Sequence, residues 1–147
     1  MHIKAEKAIF ATTQRNSPAD KFTVGEFKDK RSMKFYNREE ELRMLDETRV
    51  QAFSDHSLFT VVTGRRRVGK TKLILRSCEG TPTVYLFVAR KNEGDLCERF
   101  AEVIRTSLHI HFSTSSRSFS DIFATLMEIG RSTKFNLVID EFQEFYY

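Results

Sequence analysis

The sequence predicts an α/β protein in three layers, with helices on either side of a parallel sheet. Apolar, β-branched runs alternate with stretches of helical periodicity in the order strand, helix, strand, helices, strand. A glycine-rich turn, "GRRRVGKT" (Gly64 to Thr71), joins the first run to the helix that follows it. A third apolar run, "FNLVIDEF" (Phe135 to Phe142), carries two adjacent carboxylates near its end.

The 147 residues, 40% hydrophobic and 30% charged, suffice for one domain with a sizeable core and not for two. The formal charge of +4 is unevenly spread. Residues 1–32 hold seven Lys/Arg against four Asp/Glu, a net +3, which leaves +1 for everything after them. The patterned part therefore carries no basic footprint for nucleic acid. Residues 1–32 have scattered apolar positions, a Ser17-Pro18 turn signal and no sustained period, and read as a weakly ordered polar leader. Patterning opens at Met33, a candidate alternative translation start. No apolar run approaches the ~20 residues of a membrane span, and the N-terminus lacks the apolar core of a secretory signal. Cys78 and Cys97 are neither closely spaced nor in a CxxC pattern, so reduced thiols and a cytoplasmic location are expected.

From Met33 the elements follow in order. Asn37 with Glu40 reads as a capping box, and Leu42 and Leu45 share a face, giving a helix over about 38–52. "SLFTVVTG" (Ser57 to Gly64) is a short buried strand. "GKTKLILRSC" places Leu73, Ile74 and Ser77 at helical spacing and stops before Gly80. Thr81-Pro82 separates it from a second buried strand, "TVYLFVA" (Thr83 to Ala89). Leu96, Phe100, Val103, Ile104 and Leu108 form one stripe of an amphipathic helix. After the polar link "HIHFSTSSRS", Ser118 with Asp121 caps a helix whose core face is Ile122, Phe123, Leu126 and Ile129, with Gly130 near its end. The run from Phe135 supplies the third strand.

The glycine-rich turn fits G-x-x-x-x-G-K-[ST] in the right context, with a strand running in and a helix leading out. Gly64 and Gly69 let the backbone wrap an oxyanion with its N–H groups aimed inward. Lys70 would set an ammonium beside the β- and γ-phosphates, and Thr71 would ligate Mg2+ at the positive end of the helix dipole. Nucleotide contacts are expected from Gly64, Arg65, Arg66, Arg67, Val68, Gly69, Lys70, Thr71 and Lys72, with the three arginines on the outward shoulder, where they are not required for the basic chemistry. Asp140, closing the third strand, is the expected second Mg2+ ligand, acting through the ion's water shell. Glu141 beside it is the candidate general base for an attacking water. Position 143 is Gln rather than Gly and no Asn-Lys-x-Asp guanine motif occurs, which favours ATP over GTP. "FYNREEEL" (Phe35 to Leu42) admits two readings: an aromatic-x-Arg segment with Arg38 at the adenine, or a helix cap followed by a surface charge.

Taken together, "FYNREEEL", "GRRRVGKT", "YLFVARKNEGDL" and "LVIDEFQEF" resemble the archaeal-type ATPase family, a branch of the signal-transducing P-loop ATPases related to AAA-type proteins. The resemblance runs from about Met33 to the C-terminus, so residues 33–147 match the N-terminal part of a P-loop ATPase domain. It implies a P-loop NTPase-like fold, with Lys70, Thr71 and the glycines as nucleotide and Mg2+ ligands, Asp140 as the Walker B acid and Glu141 as the catalytic glutamate. Arg38 matches the arginine of a family box in which Asn37 replaces the usual glycine. Family members continue through two more core strands, a sensor residue, an arginine finger and a helical lid. The chain is therefore expected to be a truncated or incomplete version, ending after the third core strand. In the family's strand order, 5-1-4-3-2, the fourth strand lies between the first and third; without it, the strands of Val61 and Val138 are expected to pair directly in a 1-3-2 sheet.

The leading expectation is an ATP-binding core whose hydrolytic activity belongs to the intact protein. The alternative is a non-catalytic nucleotide-binding module that acts through partners. A homo-oligomer or an appended effector domain remains open for the intact protein. His109 and His111 are spaced to share one face of an extended segment, which admits a metal site or, more simply, a surface link. Arg90 and Lys91 fall at the ligand side of an open sheet and read as phosphate sensors or as a solvated turn. Phe142, Phe145, Tyr146 and Tyr147 read as core residues cut off from their packing partners.

Overall fold

The computed structural model describes residues 7–11, 38–112 and 118–146, with side chains from Arg38 to Phe112 and from Ser118 to Phe145. The elements are β1 (Lys7–Ala11), α1 (Glu39–Ser54), β2 (Leu58–Val62), α2 (Lys70–Ser77), β3 (Thr83–Phe87), α3 (Glu93–Leu108), α4 (Phe119–Gly130), β4 (Asn136–Asp140) and a 3-10 helix (Phe142–Tyr146). Each apolar run becomes a five-residue strand and each stripe a helix, close to where the periodicity places them.

The sheet order is β2-β1-β4-β3. β3 and β4 are parallel, with Tyr85 opposite Val138 and Phe87 opposite Asp140. β1 runs antiparallel to both its neighbours, with Ala8 opposite Val61 and Ile9 opposite Val138. Two expectations are corrected here. Val61 and Val138 do not pair with each other, so the sheet is mixed rather than wholly parallel. Part of the supposed leader, Lys7–Ala11, is a central strand; the rest of residues 1–32, and Met33 and Asn37, lie outside the described residues. The physical reason is backbone satisfaction. β2 and β4 both present unpaired N–H and C=O groups toward the gap between them, and a single antiparallel strand satisfies both rows.

β4 is buried along its whole length because helices cover both of its faces. Leu137 and Ile139 point with Val84 and Leu86 into the larger core, against Phe100 and Ile104 of α3 and Ile122 and Leu126 of α4. Val138 points the other way, to Ile74 of α2 and Cys78, flanked by Leu45 of α1, Val62 and Tyr85. β2 alternates in the same sense, with half-buried Leu58, Thr60 and Val62 and exposed Phe59 and Val61.

Caps fix the helix starts that the sequence signals. The Ser118 hydroxyl accepts from the Asp121 N–H at 3.2 Å, and the Asn92 side chain accepts from the Asp95 N–H at 2.9 Å. The Glu93 carboxylate accepts from the Phe119 N–H at 2.8 Å and so ties α4 to the start of α3. At α1 the N-cap position is Arg38, with no side-chain cap. Phe142 and Phe145 are not stranded, as their place near the end of the sequence suggested. Both pack on the larger core, and the Phe145 ring lies 4.4 Å from that of Phe119, centroid to centroid. The Tyr146 side chain and Tyr147 lie outside the described residues.

Ile9→Pro removes a ladder donor from a strand paired on both sides and is expected to cost roughly 3 kcal/mol or more, the scale of an interior proline. Thermal unfolding checks it: a melting temperature equal to that of the wild type would show that β1 does not hold the sheet. Ser118→Ala is expected to cost about 1 kcal/mol by urea denaturation, the usual worth of an N-cap.

Candidate functional site

Between Val62, the last residue of β2, and Lys70, the first of α2, the backbone makes a tight reversal in which Gly69 adopts φ +82. A Cβ at Gly69 would meet nothing within 4 Å, so glycine is required by the left-handed backbone and not by space. Arg67 takes φ +65 without that dispensation, a local strain of about 1 kcal/mol held by the rest of the loop. Arg65, Arg66, Arg67 and Val68 are exposed on the outer shoulder of the loop, as is Lys72 on the first turn of α2.

Lys70 is only 6% exposed. Its ammonium donates to the carbonyls of Gly64 at 3.0 Å and Arg65 at 2.8 Å, so its charge sits in the mouth of its own loop, solvated by backbone. Arg38 reaches the same loop from α1. Its guanidinium donates to the Val68 carbonyl at 2.9 Å and lies 3.5 Å from Glu41. The structure thus places Arg38 on the glycine-rich loop itself.

Asp140 ends β4 at 3% exposure, directly across from the loop. Its Oδ2 accepts from the Thr71 hydroxyl at 3.1 Å, a contact between residues 69 apart in sequence, and from the Tyr85 hydroxyl at 2.5 Å. Burial, and then the bond to Asp140, push the Tyr85 phenol well above its ordinary pKa, so it remains a proton donor at neutral pH. Glu141 follows at φ +59, half-buried, and its carboxylate accepts from the Gln143 side-chain amide. Glu144 accepts from Arg90 at 2.5 Å, which ties the 3-10 helix to the segment after β3. Arg90 therefore has an acidic neighbour at the C-terminal end of the strands.

The strand ends thus gather Lys70, Thr71, Asp140 and Glu141, to which the sequence assigns candidate roles, and add Tyr85 and Gln143. Tyr85 looked like one more apolar residue of "TVYLFVA". The signal that could have singled it out is its hydroxyl, since a phenol in a buried strand must find a partner. Gln143 was used only to argue against a GTPase pattern.

A hydroxyl and a carboxylate are hard oxygen donors suited to Mg2+, which keeps several waters and takes one or two protein groups plus phosphates. These residues fit that ion. Among the described residues no group of three or more His, Cys, Asp or Glu forms a cluster of the kind zinc takes. His109 serves instead as the left-handed C-cap of α3. A concavity of about 20 Å³ lined by Leu45, Ser77, Cys78 and Asn136 lies at the other end of β4 and has room for a water rather than a nucleotide. No described helix is long and apolar enough to cross a membrane.

Comparison with known proteins adds little to this geometry. No protein-family model matches the chain. No solved structure matches it either. An uncharacterized protein of Methanocaldococcus jannaschii is 42% identical over 66 residues, which are 45% of this chain and 14% of the relative. The chain thus spans a small part of the length of that archaeal relative.

Both cysteines are buried, and burial raises both thiols. Each holds less reactive thiolate at pH 8 than an ordinary cysteine, and the gap to an unfolded chain narrows only as pH climbs through the raised value. Reaction with a disulfide reagent at pH 8 is therefore expected to be at least roughly tenfold slower in native protein than in denatured. Equal rates would show that the two sites open readily.

Proposed function

We propose that the chain is the ATP-binding core of a P-loop ATPase with the three-layer architecture of that class, as its resemblance to the archaeal-type ATPases implies. The observation that carries the reading is the convergence of Thr71, next to the loop lysine, and Asp140 at 3.1 Å across the sheet. A tight turn alone needs neither residue. A phosphate site with a divalent ion needs both, on adjoining elements and within reach of each other.

In this reading the loop N–H groups and Lys70 bind the β- and γ-phosphates. The Lys70 ammonium exchanges the carbonyls of Gly64 and Arg65 for phosphate oxygens, which costs little because the charge is already held at that spot. Thr71 and Asp140 would hold Mg2+, which when bound neutralises charge on the phosphates. Glu141 orients the attacking water and accepts its proton, and the Gln143 amide fixes the carboxylate that does so. Arg38 steadies the loop through Val68 and leaves the exposed Arg65, Arg66 and Arg67 available to acidic groups on a second subunit or an effector domain. A cytoplasmic setting suits such a site.

The bond from Gln143 to Glu141 also favours a second reading. An amide donated to the carboxylate occupies an oxygen that a water would otherwise meet, as suits a module that binds ATP without turning it over.

Titration calorimetry with ATP and Mg2+ tests the first reading. Lys70→Ala is expected to weaken binding by roughly tenfold or more, about 1.4 kcal/mol per factor of ten. Replacing Arg65, Arg66 and Arg67 together by Ala is expected to cost less. Equal affinity of wild type and Lys70→Ala would sink the nucleotide site. Phosphate release that Glu141→Gln abolishes separates the enzyme from the binding module; binding with no release that depends on Glu141 selects the module.

A further inference from the structure

One carboxylate oxygen, Asp140 Oδ2, accepts two hydroxyls from opposite sides. Thr71 comes from the first turn of α2 and Tyr85 from β3. The register explains how Tyr85 gets there. Tyr85 stands opposite Val138, two residues short of Asp140 on the same face of the parallel pair, and its ring lies with Ile74, Cys78 and Val138 on the α2 side of the sheet. A tyrosine ring leaning along its strand spans the two-residue offset, and its hydroxyl arrives 2.5 Å from the oxygen.

The two donors are not equivalent. A phenol is the more acidic hydroxyl and so the stronger donor to the carboxylate. Thr71 is the group that the proposed nucleotide site would need to turn toward a cation. With Oδ2 anchored by Tyr85, the carboxylate keeps its rotamer when the Thr71 bond loosens.

We propose that Tyr85 is a positioning residue, whose hydroxyl fixes the Asp140 carboxylate toward Thr71 so that the pair is set to receive a divalent cation and its water shell. The role rests on the ATP-site reading and extends it to a residue of β3 that acts through Asp140. Partners of this kind orient the ligating group, and their loss weakens metal affinity more than it weakens the fold.

The test uses the full chain, with ATP in excess EDTA and ATP with Mg2+ as paired titrations, and Mn2+ in place of Mg2+ for electron paramagnetic resonance. Tyr85→Phe keeps the ring and deletes the hydroxyl. It is expected to leave the affinity for metal-free ATP unchanged, to cut the gain conferred by Mg2+ by roughly tenfold, and to alter the Mn2+ spectrum. An undiminished Mg2+ gain with an unchanged Mn2+ spectrum would overturn the role. So would an equal loss with and without metal, or a variant that fails to fold, since each marks the hydroxyl as structural. If the wild type binds ATP no better than Lys70→Ala, the nucleotide reading itself fails and takes this role with it; if that control holds, only the assignment of Tyr85 is at stake.

Discussion

The two-sided pairing of β1 is the constraint on which the rest of the structure depends. β2 delivers the glycine-rich loop and β4 delivers Asp140, yet the two strands are not neighbours. Their spacing is set by a five-residue strand whose backbone bridges them, and so is the 3.1 Å contact between Thr71 and Asp140. Hydrogen bonding between backbones is indifferent to side-chain identity, so "KAIFA" can serve without any motif of its own.

The helices turn this sheet into a site with a direction. β4 is wholly buried because α2 covers one face and α3 and α4 cover the other, and alternation along the strand sends Leu137 and Ile139 into one core while Val138 and Asp140 face α2. Asp140 is therefore aimed at the first turn of α2 by the same alternation that packs the core. Its Oδ2 is met by hydroxyls from two elements, as a carboxylate oxygen out of water requires.

Much of this was legible in the sequence, for physical reasons that can be named. The Leu96 to Leu108 stripe and the Ser118 cap are local signals, and local signals survive folding unchanged. Lys70, Thr71, Asp140 and Glu141 stand out in the sequence because residue type and element boundary coincide at each of them. β1 was not legible. A five-residue apolar segment in polar surroundings has no period to distinguish it, and only partners some 50 and 130 residues away select it as a strand. Tyr85 was hidden differently, since its ring satisfies the pattern of a buried strand while its contact with Asp140 lies in one atom. Arg38 reads in the sequence as an adenine-side arginine or a surface charge; its partner, the Val68 carbonyl, is a backbone group that no side-chain pattern announces.

Glu141 holds its carboxylate from a left-handed backbone, φ +59, at the junction of β4 and the 3-10 helix. The sharp change of direction there is what brings Gln143 back to the Glu141 side chain and Glu144 across to Arg90. A glycine would make the same bend with less strain, by about 1 kcal/mol. Position 141 is thus a place where backbone ease and side-chain identity pull apart. Replacing Glu141 by glycine would relax the bend and at the same time remove the carboxylate that the Gln143 amide donates to, so the junction trades backbone ease for a fixed side chain.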